Sequence, residues 1–74
     1  MTYAKILTAL ADPTRRAIVT ALHQSPQNVA TLAQSLPVTR PAVSQHLKVL
    51  SDAGLLTIRQ VGTRRFYALA PQGP

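Results

Sequence analysis

Six prolines, each beside turn or capping residues, cut this chain into segments too short for any long helix. Asp12-Pro13 places a carboxylate at an N-cap and a proline in the first helical position, where no N–H is needed. Ser25-Pro26-Gln27-Asn28 is a run of turn residues whose last member can cap a new helix, and Pro37 forbids that helix from continuing. Thr39, with Pro41 in the first turn, opens a further helix, and Gly54 supplies the left-handed residue that closes it. The chain is thereby restricted to a cluster of short helices followed by whatever lies beyond Gly54.

Apolar spacing fills in the segments. Tyr3, Ile6, Leu7 and Leu10 match the i, i+3, i+4, i+7 template, which predicts a first helix over Thr2 to Ala11. A second helix starts at Pro13, with Ala17, Ile18, Ala21 and Leu22 on one stripe and Arg15 and Arg16 on its flanks. A two-turn third helix, Val29 to Ser35, turns Leu32, Ala33 and Leu36 inward. The fourth runs from about Thr39 to Ala53. Beyond Gly54 the period changes: Leu55 to Arg59 and Arg64 to Leu69 are rich in β-branched and aromatic residues and flank Gln60-Val61-Gly62-Thr63, which predicts a β-hairpin. Pro71, Gly73 and Pro74 make the tail irregular, and there is no internal repeat. The fold class is mainly α with a small antiparallel β-hairpin, in the order α-α-α-α-β-β.

Composition decides what such a fold is for. The chain has 74 residues, eight Lys or Arg against two Asp or Glu, a net charge of +6, and no cysteine. Without Cys there is no disulfide framework, thiolate metal site or redox switch, so the default compartment is the cytoplasm. The apolar runs fall far short of the roughly 18 residues that span a bilayer, and no signal-peptide pattern opens the chain. A hydrophobic content of 46% is too high for a disordered basic tail, so the charge sits on a folded surface and points to a polyanion. It is also uneven: Arg40, Lys48, Arg59, Arg64 and Arg65 face one acid, Asp52, in the C-terminal half.

The third and fourth helices, joined by Leu36-Pro37-Val38-Thr39, have helix-turn-helix spacing, in which the second helix can enter a DNA major groove. At about 100° per residue, Val43, Leu47 and Leu50 share one side of the fourth helix with His46 at its edge, and Arg40, Ser44, Gln45 and Lys48 lie opposite. A guanidinium, hydroxyl, amide and ammonium without an acid are the donors that base edges and phosphates require. Arg59, Arg64 and Arg65 gather around the hairpin loop, where a basic tip reaches phosphates or a minor groove. Each feature alone has a plainer explanation, a solvated helix face or charges guarding a strand edge; their adjacency favours double-stranded DNA.

Other chemistries fit worse. His23 and His46 are far apart, and with Asp12 and Asp52 they do not supply the three or four converging ligands of a metal site. His46, edging the core stripe, is expected to pack or to touch DNA backbone, and Thr63 at the hairpin loop is expected to touch DNA backbone. Ser44, His46 and Asp52 are the residue types of a hydrolytic triad but point in different directions from one helix, so no catalytic residue and no cofactor is expected. Arg15 and Arg16 read as solvated or paired with Asp12, and Val61 has no evident role. Tyr3, Ile6, Leu7 and Leu10 either close the core or form a dimer seam.

Ala9-Leu10-Ala11-Asp12-Pro13-Thr14-Arg15-Arg16, Val43-Ser44-Gln45-His46-Leu47-Lys48-Val49-Leu50, Ala53-Gly54-Leu55-Leu56 and Gly62-Thr63-Arg64-Arg65-Phe66-Tyr67 together resemble the ArsR/SmtB-type winged helix-turn-helix repressors. The resemblance implies a homodimer that binds an imperfect palindrome and is released by an inducer. It places Thr39, Arg40, Ser44, Gln45 and Lys48 on the recognition helix and Arg59, Arg64 and Arg65 on the wing. Thiolate-sensing members carry a Cys motif where this chain has Val29-Ala30-Thr31-Leu32-Ala33, so soft-metal sensing there is not expected. Zinc-sensing members use a helix after the wing. Residues 1–74 therefore read as one winged helix-turn-helix domain without that C-terminal dimerisation helix, either a naturally short member or the DNA-binding portion of a longer chain. The competing reading is a winged helix used as a protein–protein or assembly module. RNA binding ranks below both, because the recognition helix has no aromatic residue for stacking.

Overall fold

A computed structural model describes residues 3–71. The expected helix start at Thr2 and the tail residues Gly73 and Pro74 lie outside them. Four helices, α1 (Tyr3–Ala11), α2 (Pro13–Gln24), α3 (Val29–Ser35) and α4 (Arg40–Asp52), precede strands β1 (Leu56–Val61) and β2 (Arg64–Leu69).

The punctuation acts as its chemistry dictates. The Asp12 carboxylate accepts from the Arg15 backbone N–H at 3.0 Å, Asn28 Oδ1 from Thr31 at 2.8 Å and Thr39 Oγ1 from Ala42 at 3.3 Å. Each satisfies one N–H that a helix start leaves orphaned. At the other end of α4, Gly54 adopts φ 78°, and the Gly54 and Leu55 N–H groups turn back to Ser51 O and Leu50 O at 2.9 and 3.1 Å. This pair of bonds ends the helix and aims the chain into β1.

The hairpin is tighter than its loop residues suggest. Val61 pairs with Arg64 and Gln60 with Arg65, so Gln60 and Val61 belong to the strand and the loop is only Gly62-Thr63. Gly62, at φ 61°, supplies the positive φ that a two-residue turn needs to match strand twist. The segment Ser25 to Asn28 is likewise more than a turn: Gln27 pairs with Tyr67 through N–H···O bonds of 3.0 and 2.8 Å. Gln27 Nε2 also donates to Ala21 O at 3.0 Å. These bonds tie β2 to the end of α2 and leave β1 as the outer edge.

Ile18, Leu22, Leu32, Val43, Leu47 and Leu50 are buried, as their stripes predict, together with Ala9, Ala53 and Leu56. The exception is α1. Its buried residue is Ala9, while Tyr3 and Leu7 are 77% and 58% exposed, Ile6 is half-buried and Leu10 packs at the core margin. A methyl side chain lets the last turn of α1 approach its neighbours closely, and that rotates the bulkier stripe partly outward.

Candidate nucleic-acid interface

The buried side of α4, Val43, Leu47 and Leu50, fixes what its opposite side presents. Thr39, Arg40, Ser44, Gln45 and Lys48 are all exposed. Thr39 Oγ1 is held as the cap acceptor, which leaves its O–H as a donor. Lys48 Nζ donates to Asp52 Oδ2 at 3.4 Å across one helical turn, a contact whose sequence signal is the i, i+4 spacing of the two residues. Among the described residues, the Arg40, Ser44 and Gln45 side chains have no hydrogen-bond or ion-pair partner.

Register splits the wing arginines, which sequence position alone groups around one loop. Side chains of paired residues share a face and alternate along the strand. Arg65 therefore lies with Gln60, Ile58 and Tyr67 on the face turned to α4, and it lines a crevice with Ser44, Lys48, Ser51 and Asp52. Arg59 and Arg64 lie on the opposite face with Val61 and Phe66. Arg59, Val61 and Phe66 line a second groove there, together with Pro26. All three arginines and Thr63 are exposed.

The guanidiniums of Arg15 and Arg16 donate to backbone carbonyls and make no hydrogen bond to the Asp12 carboxylate, although Arg16 stays exposed. Arg15 Nε donates to Ala9 O at 2.7 Å and Nη2 to Thr8 O at 3.1 Å, while Arg16 Nη1 donates to Leu10 O at 2.8 Å and Ala11 O at 2.9 Å. The two guanidiniums thus take up the carbonyls that the end of α1 leaves unpaired, with the charge sign that a helix C-terminus favours. Arg15 Nη1 also lies 3.4 Å from His46 Nδ1, and Asp12 Oδ2 is 4.0 Å from the same nitrogen. The His46 side chain is only 21% exposed and is turned toward the α1–α2 junction, not along the Arg40–Lys48 face. The bond from the Arg15 backbone N–H, aided by His46 and the Arg15 guanidinium, lowers the Asp12 carboxyl below its ordinary pKa.

Among the described residues no group of three or more His, Cys, Asp or Glu could hold a metal ion, and no helix is long and apolar enough to cross a membrane. The donor set is suited to recognising an anion with a patterned edge.

Comparison with known proteins leads to the same place. Residues 10–59 match the family described as helix-turn-helix domain. The chain is 62% identical over 65 residues to the HTH-type transcriptional regulator Rv2034 of Mycobacterium tuberculosis, covering 88% of this chain and 61% of that protein. It is 46% identical over 66 residues to the HTH-type transcriptional repressor SmtB of the same organism, covering 89% of this chain and 49% of the repressor. The chain thus spans about half to three-fifths of these relatives. Among solved structures, a homodimeric winged helix-turn-helix DNA-binding domain of Mycobacterium bovis, a possible ArsR-family regulator, superposes with a TM-score of 0.87 at 31% identity, covering 92% of this chain and 63% of that one. With four short helices, three of them N-capped, a basic hairpin and these matches in agreement, the chain belongs to the ArsR/SmtB family of winged helix-turn-helix transcriptional regulators.

Proposed function

We propose that the chain is the DNA-binding domain of a repressor that holds a palindromic operator as a homodimer. In this reading α4 enters the major groove. Gln45 reads a base edge, Arg40 and Ser44 contact bases or flanking phosphates, and Lys48 with the Thr39 hydroxyl holds the backbone. The wing straddles the adjoining backbone, with Arg65 on the side of α4 and Arg59 and Arg64 on the far side, and Thr63 at the turn. The reading assigns no catalytic residue, metal or cofactor. The homodimer is supported by the exposed Tyr3 and Leu7 of α1 and by the homodimeric state of the Mycobacterium bovis domain.

One observation carries this reading. Arg15 and Arg16 are taken up by backbone carbonyls, whereas Arg40, Arg59, Arg64 and Arg65, among the described residues, are exposed and unpaired on one helix face and one hairpin. The test is duplex binding by fluorescence anisotropy across a salt series. Affinity is expected to fall linearly with salt on logarithmic axes. Arg64→Glu with Arg65→Glu is expected to abolish binding, whereas Arg16→Glu should act through stability alone. Binding that survives the wing double reversal would favour the assembly-module reading.

A further inference from the structure

Asp52 sits where helix physics disfavours it. It is the last residue of α4, at the negative end of the helix dipole, and its partner Lys48 stands on its N-terminal side, the weaker order for an i, i+4 pair. Both side chains are largely exposed, at 74% for Lys48 and 59% for Asp52, so the ion pair adds little stability. A residue that breaks two local rules without stabilising its element is best explained by what it does to a neighbouring function.

Its surroundings identify that function. Asp52 borders a cleft toward α1 with Lys5 and Thr8, and it also lines the crevice between α4 and the wing, together with Ser44, Lys48, Ser51 and Arg65. It is the one acid in a crevice whose other charges are a lysine and an arginine, and one of only two acids in the chain. Because Asp52 Oδ2 is 3.4 Å from Lys48 Nζ, a phosphate oxygen bound to that ammonium would lie within about 6 Å of the carboxylate. That is shorter than the roughly 10 Å Debye length at 0.1 M salt, so the repulsion is not screened away.

We infer that Asp52 is a brake on DNA affinity: its carboxylate competes for Lys48 and weakens, without abolishing, the phosphate contact that Lys48 makes. The inference rests on the DNA-binding reading and adds a residue that weakens the same interface. The brake acts on backbone contact, so it applies to every sequence. It keeps a chain of charge +6 from being held by arbitrary duplex and leaves discrimination to Gln45 and its neighbours on α4.

Asp52→Asn keeps the shape and removes the charge. In anisotropy titrations against a random-sequence duplex, this variant should bind roughly threefold more tightly per recognition helix at about 0.1 M salt, as expected for a unit charge at that separation. Its log–log salt slope should steepen, by at most about 0.9, as the Lys48 contact to its phosphate becomes complete. In a Lys48→Ala background the slope change should vanish, which a merely structural role for Asp52 would not produce. Elution from heparin resin, a polyanion with no base pairs, should likewise move to higher salt for Asp52→Asn. Unchanged or weaker duplex affinity together with unchanged heparin elution, in a variant folded by circular dichroism, would overturn the brake. If the parent chain and Asp52→Asn both ignore duplex DNA while heparin retention still shifts, the brake on polyanions stands and the DNA reading fails.

Discussion

Arg15 and Arg16 carry the same formal charge as Arg64 and Arg65, yet their partners give them opposite roles. The first pair closes the end of α1 through four carbonyl contacts of 2.7 to 3.1 Å, and the second pair remains exposed on the wing. Arg15→Ala should therefore cost about 1.5 kcal/mol in urea unfolding, the lower end for hydrogen bonds from a charged donor that is only partly buried. Arg64→Ala should change stability by less than about 0.5 kcal/mol. Asp12 gives stability a pH dependence of known sign. Its pKa is lowered in the fold by the Arg15 N–H bond, so its contribution is complete above the ordinary carboxylate value and is lost as pH falls through the folded-state value. The urea midpoint should fall on acidification below about pH 4. Asp12→Asn, which can still cap α2, should flatten that fall.

At the scale of elements, what was legible in the sequence followed from how local the cause was. The three N-caps and the Gly54 stop depend on residues within three or five positions of one another, and all four read correctly from residue type. The buried stripes of α2, α3 and α4 were legible for the same reason. The Gln27–Tyr67 pairing was not, because it joins positions 40 residues apart with no pattern in either to announce it. Nor was the division of the wing arginines legible, since it depends on the register that a two-residue turn imposes. The stripe of α1 misled because Ala9, small enough for close approach, displaced larger residues from the core. The exposed face of α4 was legible from its periodicity, and the i, i+4 spacing of Lys48 and Asp52 also held the signal of their contact. Local causes also allow local tests. Thr39→Ala should destabilise the domain by about 1 kcal/mol through the lost cap. Gly62→Ala meets nothing within 4 Å, so its cost should be the backbone strain of a left-handed residue alone, about 1–2 kcal/mol in thermal or urea unfolding.

For the whole molecule, size and surface point outward. A domain this small buries only about 60% of the area its unfolded chain exposes, and α1 leaves Tyr3 and Leu7 in solvent. If these residues form the proposed seam, sedimentation should show a concentration-dependent dimer, and Leu7→Lys should shift it to monomer while leaving the fold intact. Two copies would then present two α4 helices to one duplex, so operator symmetry would mirror protein symmetry. The most direct test of the central claim, that α4 reads bases, is selection of bound duplexes from a random pool, performed in parallel with the parent chain and Gln45→Ala. The account predicts a two-fold-symmetric motif with half-sites about one helical turn apart. It also predicts that the substitution relaxes preference at one or two positions in each half by roughly 1–3 kcal/mol. An identical motif from both proteins, or salt-sensitive binding with no motif at all, would contradict it.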